Sequence, residues 1–287
     1  MDQAEILRRW VKRKEQGFDI DVATALEEKA IGKTTTIGFL GWENELLQNS
    51  NLLANIAVSL SKRRKRVLVV DAHKGKIDPS IPLGVFPKIF LEDLLYKRHG
   101  AKETVYMGVE GVRFVKASDT LSCLDRLEMN AKNNFFREWA SFEEGSDMVF
   151  VHDAAPSPVL NFNQLIVVTS THGDAITAVY EKVRKFIRND FQDTRISLIV
   201  NMCTTEAKGA LVAQKFIATA KKFLDLDIEM LGAVSLESEV IRALKARTAF
   251  VTRYPYLSST NQVHAIADKI IACKSVKEAQ PEPEVLA

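Results

Sequence analysis

The 287 residues are 46% hydrophobic and 26% charged, which is enough apolar material for one substantial core. Lys and Arg number 39 against 37 Asp and Glu, and the formal charge of +2 argues against a nucleic-acid or membrane partner. The three cysteines form no CxxC pair, which predicts free thiols. The N-terminus is charged and no long apolar run occurs, so we expect a cytoplasmic protein.

Residues 1–16 form the first predicted element, a charged helix with one apolar stripe. The stripe follows the 3.6-residue period of a helix and consists of Ala4, Leu7, Trp10 and Val11. Gly17 ends this pattern, and residues 17–33 predict a connector. We expect the helix to be tethered to the domain, with its stripe docked on its own domain or on another protein.

Residues 34–273 alternate between short apolar strands and longer helices. The predicted strands are 34–40, 66–70, 112–115, 148–151, 165–169, 196–200 and 230–234. The predicted helices are 52–61, 91–96, 175–187, 206–223, 237–246 and 261–272. This order is typical of a doubly wound α/β domain, with a mostly parallel sheet and helices on both faces. Residues 274–287, with prolines among glutamates, predict a disordered acidic tail.

The first crossover of this domain lacks the residues of a phosphate-binding loop. After the first strand the chain reads Trp42-Glu43-Asn44-Glu45-Leu46-Leu47-Gln48-Asn49. A P-loop here has glycines, which let backbone N–H groups point at phosphates, and a lysine that adds positive charge. A carboxylate about 4 Å from a phosphate costs about 4 kcal/mol at an effective dielectric constant of about 20. Glu43 and Glu45 therefore predict repulsion of a triphosphate.

Five segments of the chain carry motifs of one family in a fixed order. They are MDQAEILR at 1–8, RVLVVDA at 66–72, LEDLL at 91–95, DMVFVHD at 147–153, and VNM followed by EAKG within 200–209. Together they resemble the MinD/ParA group of P-loop ATPases, and within it the FlhG (FleN, YlxH) regulators of flagellar number and placement. The resemblance covers the chain apart from its acidic tail and implies the P-loop NTPase fold.

The resemblance also implies a nucleotide site and gives its positions in this chain. Matching NIA at 55–57 to the family's NLA sets the register of the first helix. The implied positions are Asn44 for the signature lysine, Asn49 for the Walker A lysine, Ser50 for the Walker A hydroxyl, Asp71 and Asp153 for the strand-end aspartates, and Asn201 for the adenine-binding residue. Both lysines are therefore missing, and His73 stands where the family has a second aspartate.

These departures predict a degenerate, ATPase-inactive site. We expect no catalytic residue, no metal site and no required cofactor, although Ser50, Asp71 and Asp153 leave weak binding of Mg-ATP or Mg-ADP open. The two aspartates are expected to cap loops or to pair with lysines. His73 and His152 flank the same pocket, but their spacing is not a known metal-ligand pattern.

The resemblance also implies a role for the predicted N-terminal helix. In FlhG proteins this helix docks onto FlhF, a signal-recognition-type GTPase, and its glutamine helps to activate GTP hydrolysis. The matching positions here are Asp2, Gln3, Ala4, Leu7 and Arg8. A glutamine can accept a hydrogen bond from the attacking water and donate one to a phosphate oxygen. We expect an FlhF-type GTPase or a flagellar assembly component as partner, bound in the helix-in-groove mode, with a solvated helix face as the alternative for Gln3.

The lack of a phosphate-binding loop also leads to predictions of the oligomeric state and the function. A ligand shifts an equilibrium only by its differential affinity for the two states, so a chain without ATP contacts is expected to be a constitutive monomer. Two other interpretations stay open. One is an active ATPase with an atypical nucleotide loop. The other is a ParA-like DNA or cargo-positioning protein that uses the basic run at 62–66, although cations at a helix C-terminus also have a structural explanation.

Overall fold

The fold is described by a computed structural model that covers most of the α/β region. The described residues are 34–42, 46–73, 78–95, 98–117, 128, 130–131, 135, 139–142, 144–153, 162–188 and 194–278. The predicted N-terminal helix with Gln3, the connector, Asn44 and residues 279–287 of the predicted tail lie outside them.

One sheet of eight strands forms the centre of the described part of the chain. The strands are β1 (Thr35–Gly41), β2 (Val67–Asp71), β3 (Tyr106–Met107), β4 (Arg113–Lys116), β5 (Met148–His152), β6 (Gln164–Thr169), β7 (Arg195–Cys203) and β8 (Ile228–Ser235). Their spatial order is β3-β4-β2-β5-β1-β6-β7-β8, and every neighbouring pair is parallel except β3 with β4. The prediction of a doubly wound, mostly parallel α/β domain is confirmed.

Helices cover both faces of this sheet. They are α1 (Leu46–Lys62), α2 (Ser80–Leu83), α3 (Leu91–Leu95), α4 (Ala101–Thr104), α5 (Gly173–Ile187), α6 (Glu206–Leu224), α7 (Ser238–Lys245), α8 (Phe250–Arg253) and α9 (Ser258–Glu278). Helices α1 and α9 bury apolar side chains in one core, and α5 and α6 do so in the other. The strands read as continuous apolar runs because alternate side chains enter the two cores: Phe39 of β1 faces α1, whereas Leu40 faces α5 and α6. No helix among the described residues is long and apolar enough to cross a membrane.

Two helix boundaries lie six residues from the predicted ones, which are the largest differences. Helix α1 begins at Leu46, six residues before the predicted start at residue 52, so residues 46–49 belong to the helix and not to the preceding turn. No glycine or proline in this stretch opposes a helix. Helix α9 continues to Glu278 and so includes the first residues of the predicted disordered tail, which has no proline before Pro281.

The basic run at the end of α1 makes contacts inside the domain. Arg63 Nε lies 2.5 Å from Asp268 Oδ1 on α9, and Arg66 Nη2 lies 2.8 Å from Asp147 Oδ1 before β5. Lys62 Nζ donates a hydrogen bond of 3.3 Å to the carbonyl oxygen of Val251. These three side chains therefore tie the end of α1 to its neighbours.

A buried serine and a histidine join α1 to α9. The Ser59 hydroxyl lies 2.6 Å from Nδ1 of His264, and Arg63 Nη1 donates to the same hydroxyl at 2.8 Å. Burial lowers the pKa of His264, and the charges of Arg63 and Lys62 lower it further, against the opposing effect of Asp268. The neutral imidazole is the form that fits this junction.

This junction predicts an acid-sensitive contribution to stability. The unfolded chain protonates His264 near pH 6.5, whereas the folded chain does so only at lower pH, so the contribution is complete above about pH 6.5 and is lost as the pH falls. We expect urea unfolding of His264→Gln to show a smaller loss of stability than the wild type between about pH 6.5 and 5. His172→Gln, at an exposed histidine, is the control and should behave as the wild type. Equal pH profiles for His264→Gln and the wild type would contradict this role.

Candidate functional site

Three polar residues lie side by side at the carboxyl ends of β4, β2 and β5. In the strand register Asp71 is paired with Lys116 on one side and with His152 on the other. Val67 and Val69 of β2 enter the core that contains α1, and the alternation of a strand places Asp71 on that same face. The register therefore puts an ammonium group, a carboxylate and an imidazole in one row beneath α1.

The carboxylate of Asp71 is fully buried and saturated with donors. Lys116 Nζ donates to Asp71 Oδ2. His152 Nδ1 lies 2.6 Å from Asp71 Oδ1, and the backbone N–H of His73 donates to the same oxygen at 3.2 Å. Lys116 Nζ also donates to Asp78 Oδ2 and to the carbonyl oxygen of His73, at 3.0 Å each. These acceptors match the three N–H bonds of the ammonium group.

The charges in this row stabilise each other. Burial alone would raise the pKa of Asp71, but the hydrogen bond with His152 and the ammonium group of Lys116 outweigh it, so the pKa is lowered. Burial alone would lower the pKa of Lys116, but Asp71 and Asp78 reverse this effect and raise it. The buried carboxylate is therefore ionised and is neutralised by a cation that belongs to the protein.

A second polar cluster surrounds Asp153, the residue after β5. Asp153 has a left-handed backbone with φ of 56°, and its Oδ2 lies 3.3 Å from His73 Nδ1. Lys182 Nζ of α5 lies 3.6 Å from Asp153 Oδ1 and donates to the carbonyl oxygen of Gly41 at 2.7 Å. Burial alone would raise the pKa of Asp153, but His73 and Lys182 lower it, and the hydrogen bond with Asp153 raises the pKa of His73.

The first turns of α1 contact this region through the side chains of Asn49 and Ser50. Ser50 Oγ lies 3.4 Å from His152 Nε2, so His152 is the strand-end residue that touches both Ser50 and Asp71. The Asn49 side chain packs on Gly41, where an added Cβ would come within 2.8 Å of Asn49 Nδ2. Among the described residues, Asn49 Oδ1 and His73 Nε2 are buried without a hydrogen-bond partner.

An open cleft lies farther along the same edge of the sheet, at the carboxyl ends of β7 and β8. Its volume is about 460 Å³, including space open to solvent. Its walls are mainly apolar and include Leu236 and Ile241, and Asn201 is one of its polar residues. Asn201 is 6% exposed, and its Oδ1 accepts a hydrogen bond of 2.9 Å from the backbone N–H of Met202. The edge of the sheet thus has one end filled by polar side chains and one end left open.

The structure brings five of the six predicted nucleotide-site residues to one edge of the sheet, and the sixth, Asn44, lies outside the described residues. Asn49, Ser50, Asp71 and Asp153 lie around the polar clusters, and Asn201 lines the cleft farther along the edge. The expected lysine partners of the two aspartates are Lys116 and Lys182, which the sequence analysis did not name. The available signal for Lys116 was its position at the end of an apolar strand.

No group of three or more His, Cys, Asp or Glu side chains that could hold a metal ion occurs within the described residues.

Removal of the Lys116 ammonium group tests its role in neutralising Asp71. We expect Lys116→Met to lower the free energy of unfolding by about 3–5 kcal/mol, because a buried charge loses its partner. Adding Asp71→Asn should recover part of that loss, since the unpaired charge then disappears. Urea unfolding of the single and double variants measures both effects.

The matched control is Lys215→Met, at an exposed lysine of α6. It should change the stability by no more than about 0.5 kcal/mol. Equal losses in the free energy of unfolding from Lys116→Met and Lys215→Met would show that the buried ion pair does not stabilise the fold.

Comparison with known proteins places this arrangement in context. No family model matches the chain. The chain is similar to the antiactivator FleN of Pseudomonas aeruginosa, with 23% identity over 227 residues, which are 77% of this chain and 81% of that protein. Its fold is similar to that of the cell division protein MinD of Aquifex aeolicus, with a TM-score of 0.62, 14% identity, and coverage of 87% of this chain and 98% of that one. A ParA family ATPase of Chlorobium tepidum has a TM-score of 0.60 and 17% identity, with coverage of 82% and 98%.

Proposed function

We propose that this chain, which belongs to the MinD/ParA family and is a sequence relative of FleN, is an FlhG-like regulatory or binding module whose ATPase site is degenerate. The observation that carries the proposal is the buried Asp71 carboxylate, held between Lys116 and His152. The fold of an ATPase is present, and the strand-end aspartate that the family uses in its nucleotide site is occupied by side chains of the protein itself.

Internal neutralisation of Asp71 opposes the binding of Mg²⁺. An ion on this carboxylate has to displace the Lys116 ammonium group, and breaking a buried ion pair costs about 3–5 kcal/mol. That cost corresponds to roughly 10²–10⁴-fold in affinity. His152 adds a second obstacle, because its ring occupies the space between Asp71 and Ser50.

Among the described residues, the phosphate end of the site offers no replacement for the missing lysine. Asn49 takes the implied position of the Walker A lysine, and its neutral side chain lies against Gly41. Lys182 lies near Asp153 and the Gly41 carbonyl oxygen, so its charge is already shared with a carboxylate. From the described residues, a triphosphate therefore meets little uncompensated positive charge at this end.

The cleft at Asn201 favours weak binding of a nucleoside. Its apolar walls suit a base, and this feature supports the second candidate, an active ATPase with an atypical loop. The two candidates differ in whether phosphates and Mg²⁺ add affinity. In the proposed function they add none, so nucleotide cannot drive dimer formation, and the protein acts as a monomer in the cytoplasm.

Calorimetry separates these two candidates. We expect adenosine to bind the full chain at least as tightly as ATP, with Mg²⁺ leaving the ATP affinity unchanged, because the cleft provides the contacts and the phosphate end does not. Asn201→Ala should weaken adenosine binding, whereas Asn261→Ala, at an exposed position on α9, should leave it unchanged. Tighter binding of Mg-ATP than of adenosine, or saturable hydrolysis that Asp153→Ala abolishes, would contradict the proposal.

The regulated partner is proposed to be an FlhF-type GTPase. The support is the DQA and LR pattern of residues 2–8 and the similarity to FleN, a protein named an antiactivator. In this proposal the N-terminal helix docks in a groove of the GTPase, and Gln3 orients the attacking water. The α/β domain then acts as the scaffold that presents this helix.

Stimulation of GTP hydrolysis tests the partner. We expect the full chain to accelerate the GTPase and a chain without residues 1–25 to lose this effect. Gln3→Ala should retain binding but lose most of the acceleration, because the water-orienting amide is removed. Gln16→Ala is the matched control within the same segment and should stimulate as the wild type does. Absence of stimulation, or equal stimulation by Gln3→Ala, would count against an activating role.

A further inference from the structure

The edge of the sheet contains two imidazoles that share one arrangement. His152 Nδ1 lies 2.6 Å from the Asp71 carboxylate, and His73 Nδ1 lies 3.3 Å from the Asp153 carboxylate. A carboxylate on one ring nitrogen fixes the tautomer and orientation of a histidine and makes the other nitrogen a better ligand. Histidines that bind metals in proteins commonly have such a partner. Two of these pairs meet beneath α1.

The second nitrogens of the two rings differ in their surroundings. His73 Nε2 is buried and has no hydrogen-bond partner among the described residues, and His73 is 8% exposed. His152 Nε2 faces Ser50 Oγ at 3.4 Å, which is a long contact for a hydrogen bond. Asn49 Oδ1, in the residue next to Ser50, is also buried and unpartnered within the described residues. Unmet polar atoms in a buried position call for a ligand or an ordered water molecule.

The spacing of the two rings fits a shared ion. The ring centroids of His73 and His152 are 5.4 Å apart, and the rings are tilted by 58° rather than stacked. Two imidazoles on one tetrahedral ion, with metal–nitrogen distances of about 2.0–2.1 Å, have centroids roughly 5 Å apart. The observed separation of the ring centroids is therefore close to that of two imidazoles that share one ion.

We propose that His73 and His152 bind one divalent transition-metal ion, with Zn²⁺ as the representative, through their Nε2 atoms. Imidazole nitrogens favour Zn²⁺, Ni²⁺ or Cu²⁺, whereas Mg²⁺ prefers oxygen ligands. Asp71 and Asp153 orient the two rings, and Asn49 Oδ1 or water completes the coordination shell. Only two ring nitrogens come from histidine, which agrees with the lack of any three-residue acidic, histidine or cysteine group in the described part of the chain.

This site is independent of the proposed regulatory function. It requires neither ATP nor a partner protein, and the chain can lack one property and have the other. The sequence predicts no metal here because the spacing of the two histidines is not a known metal-ligand pattern. Adjacent strands β2 and β5 bring them together only in the fold.

Titration of the full, nucleotide-free chain with Zn²⁺ in excess Mg²⁺ tests the proposal. We expect one Zn²⁺ ion per chain by calorimetry, and weakening by about tenfold or more in His73→Gln, because a direct ligand is removed. His99→Gln is the matched control: His99 Nδ1 also lies near a carboxylate, 3.2 Å from Glu103, but this pair is exposed and has no second imidazole near it among the described residues. The control should bind Zn²⁺ as the wild type does.

Nuclear magnetic resonance of the histidine rings gives a second readout that does not depend on a variant. Zn²⁺ should shift the Nε2 resonances of His73 and His152 and leave those of His99 and His172 in place. Lack of binding at micromolar Zn²⁺, or full binding in His73→Gln through the cysteines, would overturn the proposal. Ring shifts confined to other histidines would overturn it as well.

Discussion

The register of three parallel strands places Lys116, Asp71 and His152 in one row, and the rest of the site depends on this row. A buried carboxylate needs a compensating positive charge or hydrogen-bond donors. In this protein Lys116 and His152 meet that need from the two neighbouring strands, so the requirement is satisfied by the fold itself. In the proposed function, the ion pair that stabilises this edge of the sheet also takes the place of nucleotide chemistry.

Around this row the site divides into two ends with different chemistry. The phosphate end is filled by Asn49, His73 and the Asp153–Lys182 pair, and the end at Asn201 remains an open apolar cleft. A nucleotide switch depends on coupling between these ends, because the phosphates and the metal ion report on hydrolysis. In the proposed function this end binds no phosphate, and the α/β domain serves as a scaffold for the N-terminal segment. A static scaffold suits a protein that acts by presenting a binding element.

The sequence was sufficient for seven of the eight strands of the described sheet, but it missed the short edge strand β3 and the detail of the carboxyl edge. Strands such as β1 and β5 were predictable because both of their faces are buried, which makes them continuous apolar runs. Asp71 was predictable because it follows such a run. Lys116 was not, since a lysine at a strand end can turn to solvent or inward, and only the register with Asp71 decides between them. The early start of α1 was missed because the family's loop was expected to occupy residues 46–49.

A crystal structure of the full chain soaked with Mg²⁺ and ATP tests the central claim most directly. The internal ion pair predicts that the Lys116 ammonium group stays on the Asp71 carboxylate, with His152 between Asp71 and Ser50 and no triphosphate density beside Ser50. Density for Mg²⁺ on Asp71, with Lys116 displaced and a triphosphate next to Ser50, would contradict it.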